Sequence, residues 1–160
     1  MNERQSWWKG ARGEWWVVGQ GILIAVLAAA PASRPWPSIP RTPNAWLGAV
    51  LFVLGIAFAA WAVVTLGPSL TALPKPRRHA VLIDTGPYAL VRHPIYGGVI
   101  LVALGWALWR GGVLHLPLAF ALAFYLNIKA SIEERLLVAR FPDYRAYCER
   151  TRRRLLPWVA

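Results

Sequence analysis

The stretch Thr85-Gly86-Pro87-Tyr88-Ala89-Leu90-Val91-Arg92-His93-Pro94-Ile95-Tyr96-Gly97-Gly98 sets Tyr88, Arg92 and His93 directly before an apolar run that opens at Pro94. A Pro at the first helical position loses nothing, because the N–H it lacks would have no acceptor inside the helix. Arg92 and His93 can bind anions, and Tyr96 adds an aromatic ring just inside the helix. Further along, Glu133-Glu134 offers two adjacent carboxylates on a segment that continues an apolar run. Lys129 lies one helical turn before Glu133, so the two face the same way.

Composition says where such groups must sit. The chain has 160 residues, one domain by length. It is 57% hydrophobic and only 16% charged, with 10 Trp. A soluble domain of this size could not hide that much apolar surface. The net charge of +11 might suggest nucleic acid. The basic residues cluster instead at the ends of apolar runs, as expected beside an anionic leaflet. Nucleic acid is therefore excluded as a partner, and no obligate protein partner is evident. The single Cys148 permits neither an internal disulfide nor a Cys-based metal site, and His79 and His115 have no companions at ligand spacing. No metal is expected. There is no Gly-rich phosphate loop or nucleophile elbow.

These features predict an all-α integral membrane protein of about four transmembrane helices, a single membrane domain over residues 1–160. The spans fall at about 15–32, 45–66, 94–109 and 113–130. The first is long enough to cross a bilayer at about 1.5 Å per residue. A signal peptide competes there, because Ala28-Ala29-Ala30-Pro31-Ala32-Ser33 is a small-residue stretch. The flanking Trp7, Trp8, Trp15 and Trp16 read instead as an interfacial belt. Residues 33–44, with Pro35, Pro37, Pro40 and Pro43, read as a loop, and residues 67–92 as a long polar connection. The fourth helix continues without a breaker to Arg140, before Pro142. A C-terminal helix and loop follow, with Tyr144, Tyr147 and Arg152-Arg153-Arg154.

All but three of the 18 Lys and Arg residues lie at the two termini or in the 67–92 connection; the exceptions are Arg34, Arg41 and Arg110. That asymmetry puts both termini in the cytoplasm, in a bacterial inner membrane. Arg110-Gly111-Gly112 is a tight turn, so helices three and four form an antiparallel hairpin. Arg92 and His93 then return to the depth of Glu133 and Glu134 at one cytoplasmic rim. Cations with the free N–H groups of a helix start suit a carboxylate or phosphate. The carboxylates suit an ammonium or sugar hydroxyls, and Tyr88, Tyr96 and Tyr144 offer flat surfaces for a heterocycle or cation. An amino-acid head, a sugar and a base would all be served. Plainer readings stand beside this one. Arg92-His93-Pro94 could be an interfacial anchor, and Glu133-Glu134 a solvated face. Lys129 could pair with Glu133, and Arg152-Arg153-Arg154 could be a lipid-headgroup patch.

Gly86-Pro87-Tyr88, Val91-Arg92-His93-Pro94-Ile95-Tyr96, Glu133-Glu134 and Phe141 with Tyr144 and Tyr147 together resemble the isoprenylcysteine carboxyl methyltransferase family of membrane enzymes, related to the phospholipid N-methyltransferases. The resemblance covers about residues 66–157, and the cofactor-binding part about 70–157; the first two spans carry no motif. It implies methyl transfer from S-adenosylmethionine to a lipid-like or prenylated acceptor, leaving S-adenosylhomocysteine. Tyr88 and His93-Pro94-Ile95-Tyr96 then hold the cofactor, and Glu133 takes its methionine ammonium. Val81, Leu82 and Ile83, with Ala80, form the apolar strip against the adenine. Lys129, Arg92 and Glu134 are the residues assigned to catalysis. Lys129 occupies the place of an Arg that contacts substrate in the eukaryotic members, and a Lys cannot make that planar two-bond contact with a carboxylate. If the acceptor is an amine, Glu134 is the candidate base. A phospholipid amine or a small thiol is the alternative acceptor. A non-catalytic protein binding anionic lipid through Arg92 and the Arg152-Arg153-Arg154 run is the alternative of another class, and a small subunit of a larger complex, using the Trp-rich first spans, is a third.

Overall fold

Two pairs of glycines decide how the helices pack. A Cβ on Gly48 would lie 2.6 Å from the carbonyl oxygen of Gly105, and one on Gly105 would lie equally close to that of Gly48. Gly55 and Gly98 repeat the arrangement at 2.7 Å. The pairing order makes the two helices antiparallel, with backbones in contact at sites two turns apart, the small-residue packing that apolar helices use where no water drives them together.

The computed structural model describes residues 13–31, 41–74, 81–111 and 113–156, with side chains in the second helix from Asn44 onward. Six α-helices follow in order: α1 Glu14–Ala29, α2 Arg41–Leu66, α3 Pro87–Leu90, α4 Pro94–Arg110, α5 His115–Arg140 and α6 Tyr144–Arg150. A 3-10 turn, Gly67–Ser69, extends α2. The described residues form no strand. Helices α2 (as Asn44–Ser69) and α5 are long and apolar enough to cross a membrane, whereas α1 and α4 are shorter apolar helices. Trp46 (75% exposed), Val64 (78%) and Phe124 (68%) lie bare on the outside. So large an apolar exterior is unfavourable in water and fits a lipid-facing surface.

Helix α4 packs against α2 on one side and α5 on the other, and α1 packs on α5. Leu27, Ile100, Ala103, Ala107, Ala119, Leu122 and Leu126 form the shared core. Gly111 closes α4 in the left-handed region at φ 64°, its N–H bonded to the Ala107 carbonyl at 3.0 Å. Glycine adopts that conformation without strain, and α5, which begins at His115, packs on α4.

Three boundaries differ from the sequence reading. Helix α2 starts at Arg41, inside the stretch read as a loop, because Pro43 falls in its first turn, where Pro is tolerated. The polar connection contains α3, which opens at Pro87 behind Gly86 (φ 59°). The first helix ends at Ala29 rather than near residue 32. Trp7, Trp8, His79, Ala80 and most of the 33–44 segment lie outside the described residues. Beyond α6 the chain turns back beneath α4. The Arg92 N–H donates to the Arg153 carbonyl at 3.0 Å and the His93 N–H to that of Arg154 at 2.8 Å. A Cβ on Gly97 would collide with the Leu155 carbonyl, so only glycine permits this approach.

Substituting Gly98 with Ala should cost about 1–3 kcal/mol, the usual penalty for overpacking a filled interface, because the new methyl meets Ala59 and the Gly55 carbonyl. Gly21→Ala, where a Cβ meets nothing, should be neutral. Thermal unfolding of both variants in one detergent checks the contrast.

Candidate active site

The chain segments that meet at the Arg92 end of α4 enclose a cavity of about 700 Å3, within the range of small-molecule sites. It is lined by α1 (Val17, Gln20, Gly21, Ile24), by the stretch from Leu70 to Pro74, and by Val81, Leu82 and Ile83. Tyr88, Arg92, His93, Pro94, Ile95 and Tyr96 add the α3–α4 side. Lys129, Glu133 and Leu137 come from α5, and Tyr144 and Tyr147 from α6.

Pro94 fixes where α4 begins and therefore where His93 and Tyr96 point. Their rings stack at 5.6 Å and 5°. The Tyr96 hydroxyl donates a short hydrogen bond to Glu133 Oε1. His93 stands between the two acids, its Nδ1 3.6 Å from Glu133 Oε2 and its Nε2 3.4 Å from Glu134 Oε1. Glu133 thus has one oxygen on Tyr96 and the other beside His93, on a helix face that lines the cavity.

Glu134, the adjacent residue, faces away. Arg92 Nε donates to its Oε1 at 2.7 Å, and Arg154 Nη2 donates to its Oε2 at 2.9 Å. Arg92 Nη1 also donates to the carbonyls of Thr151 and Arg152, both at 2.8 Å. Arg154 Nη1 reaches Asn127 Oδ1 at 3.2 Å and Ser131 Oγ at 3.0 Å. Burial works against the charge of Arg92, but the bond to Glu134 outweighs it and raises its pKa. Glu134 does not line the cavity. Its expected place at the reacting centre is therefore not the one it occupies, because two guanidinium groups hold it in a half-buried clamp.

Lys129 is 2% exposed. Its Nζ donates to Gln20 Oε1 at 2.8 Å and to the Ala72 carbonyl at 3.3 Å, and lies 5.1 Å from the Tyr96 ring centre. The pairing with Glu133 allowed by their spacing is not made as an ion pair. Burial, with the Glu133 charge second, pushes the phenol of Tyr88 well above its usual range. Burial likewise leads the upward shifts of Tyr144 and Tyr147. These phenols stay protonated and act as donors. Tyr147 donates to the Tyr88 carbonyl at 2.7 Å, whereas the buried Tyr144 hydroxyl has no oxygen or nitrogen partner among the described residues.

The structure therefore brings Val81, Leu82, Ile83, Tyr88, Arg92, His93, Pro94, Ile95, Tyr96, Lys129 and Glu133 to one cavity and leaves Glu134 behind its wall. Two expectations change. The His93 N–H is not free for an anion, because the returning tail occupies it. Arg154 is not part of a surface patch, because Glu134 draws it inward, while Arg152 and Arg153 are exposed. Sequence reasoning missed Gln20; a lone amide within an apolar helix was the available signal.

Residues 43–143 match the family described as phospholipid methyltransferase. The chain is 33% identical over 144 residues to the nickel-cobalt-cadmium resistance protein NccN of Alcaligenes xylosoxydans, covering 87% of this chain and 61% of that protein. It is 32% identical over 89 residues to protein-S-isoprenylcysteine O-methyltransferase B of Arabidopsis thaliana, 52% of this chain and 44% of that one. With methanethiol S-methyltransferase 1 of Bradyrhizobium diazoefficiens it shares 31% identity over 121 residues, 64% of this chain and 40% of that protein. The chain thus spans about half the length of the curated relatives it matches. Among the described residues, no group of three or more His, Cys, Asp and Glu is placed to hold a metal ion.

Glu134→Gln removes the charge shared by Arg92 and Arg154. It should lower stability by about 1.5–3 kcal/mol, the range for a hydrogen bond to a charged group, because the clamp is only partly buried, as measured by thermal unfolding of the solubilised protein.

Proposed function

The chain belongs to the phospholipid methyltransferase family, and from that premise we propose that it is an S-adenosylmethionine-dependent membrane methyltransferase acting on a lipid-like acceptor. The reading extends to four membrane-spanning helices (α1, α2, α4 and α5), both termini in the cytoplasm, and a cavity that opens to the cytoplasmic side. One observation carries it. Glu133 stands in a cavity that also holds an apolar strip (Val81, Leu82, Ile83) and the rings of Tyr88 and Tyr96.

That donor set fits the cofactor. A carboxylate already oriented by Tyr96 and His93 suits the methionine ammonium. The apolar strip suits the adenine face, and the Tyr144 hydroxyl, buried without an oxygen or nitrogen partner, suits a polar atom of a ligand. When bound, the cofactor supplies an electrophilic methyl group. The residues around it bind, orient and keep water out, which is most of what such a displacement needs. Lys129 supplies positive charge on the acceptor side. The acceptor's apolar tail enters from the bilayer. A headgroup site built on Arg92 and Arg154 is less favoured, because both guanidiniums are taken up by Glu134.

Glu133→Gln should weaken S-adenosylhomocysteine binding by about 30-fold or more, the usual cost of losing one partner of a buried charge pair. Thermal stability should change little. Calorimetry on the wild type and the variant checks it; equal heats for the two, or none for the wild type, would count against the reading. Lys129→Ala should keep that binding and lose turnover. Parallel loss of both would mark Lys129 as structural.

A further inference from the structure

Lys129 is a buried cation whose close partners carry no negative charge. Its Nζ bonds to the amide oxygen of Gln20 and the carbonyl of Ala72. Among the described residues no carboxylate lies within ion-pair distance of it. An ammonium removed from water at this depth is costly unless an anion joins it. A Lys can only donate, so Gln20 must turn its oxygen toward Nζ, and its NH2 group then points elsewhere. Both side chains line the cavity. The result is an ammonium lining the cavity with no carboxylate in contact among the described residues; Glu133, one turn on, acts on it only through space.

We infer that Gln20 is a positioning and specificity-determining residue, holding Lys129 so that the two together receive the head of an acceptor that arrives as an anion. The inference rests on the methyltransferase reading and names the acceptor's charge state, which that reading leaves open. Helix α1 lies outside residues 43–143, so Gln20 reaches Lys129 from outside the segment matched to the family.

The remaining chemistry of the cavity agrees. A protonated amine would have to give up a proton before attacking. Glu133 is engaged with Tyr96 and His93, Glu134 lies behind the wall, and the tyrosines stay protonated. No carboxylate is left facing the acceptor. An anion needs none of this. Its lone pair forms the bond to the methyl carbon as the methyl–sulfur bond breaks, and that bond's electron pair stays on sulfur. One negative and one positive charge disappear, and for a carboxylate no proton moves; a thiol leaves its proton in water before it enters as the thiolate.

Three probes with the same chain separate the head chemistries: octanoate, octanethiol and octylamine, offered to the solubilised full chain with methyl-labelled S-adenosylmethionine. Label should reach octanoate or octanethiol, which tells carboxylate from thiolate, and should not reach octylamine. In Gln20→Leu the KM for the labelled probe should rise about tenfold or more, the loss expected for a hydrogen bond to a charged group. S-adenosylhomocysteine affinity should stay within about twofold. Gln20→Glu, whose carboxylate would neutralise Lys129, should impair the anionic probe in the same way. If no probe is labelled, titrating the S-adenosylhomocysteine complex by tryptophan fluorescence decides, with octanoate expected to bind more tightly than octylamine. Labelling or tighter binding of octylamine, or an unchanged KM in Gln20→Leu, overturns the inference. If Gln20→Leu does not fold, Gln20→Asn, which withdraws the amide by one methylene, is read by the same ratio. Failure of the wild type to bind S-adenosylhomocysteine would instead count against the methyltransferase reading itself.

Discussion

One carboxylate holds the Arg92 end of α4 and its neighbours together. Glu134 accepts from Arg92, just before α4, and from Arg154, beyond α6, while His93 stands 3.4 Å away. Two segments distant in sequence are thereby fixed to one point on α5. Charges partly withdrawn from water are held best when each is answered by another, and removing one leaves the others under-satisfied. The clamp turns Glu133, the preceding residue, toward the cavity. Adjacent positions on a helix point about 100° apart, given 3.6 residues per turn. One acid therefore serves the frame and its neighbour the cavity.

The glycine contacts between α2 and α4 act on the same problem from the apolar side. They set how near α4 lies to α2, and the aliphatic core between α4 and α5 does the rest. The depth of His93 and Tyr96 relative to Glu133 follows from these two interfaces. Lys129 then tethers α1 to the assembly through Gln20, and Tyr125 does so again through the Trp16 carbonyl at 3.0 Å.

Much of this was legible in the residues. The tight turn after Arg110 and the unbroken run from residue 113 to 140 imply a hairpin, and a hairpin must bring Arg92 and His93 level with Glu133 and Glu134. Pro94 marked the start of α4 correctly because its missing N–H leaves few other positions open to it. What stayed hidden depends on which neighbour a side chain finds. Nothing local distinguishes Arg154 from Arg152 and Arg153; only the folded tail turns one of the three inward. Glu133 and Glu134 look alike in sequence, and the helix rotation that separates their roles is set by packing. Gln20 sits in a helix without a motif, and its meaning comes from a lysine over a hundred positions away. The start of α2 at Arg41 escaped notice because Pro43, read as a loop marker, is equally at home in a first turn.

The backbone bonds from Arg92 and His93 to the carbonyls of Arg153 and Arg154 bear on how the molecule is made. Helices α1, α2, α4 and α5 are complete before residue 151 leaves the ribosome, yet the acceptors for those two N–H groups and the second guanidinium of the clamp are not. During synthesis the apolar helices can pack while the clamp on Glu134 remains unfinished. The bonds that fix Arg92 and His93 at the start of α4 therefore form only once the segment from Thr151 to Leu155 has emerged and lies against Gly97.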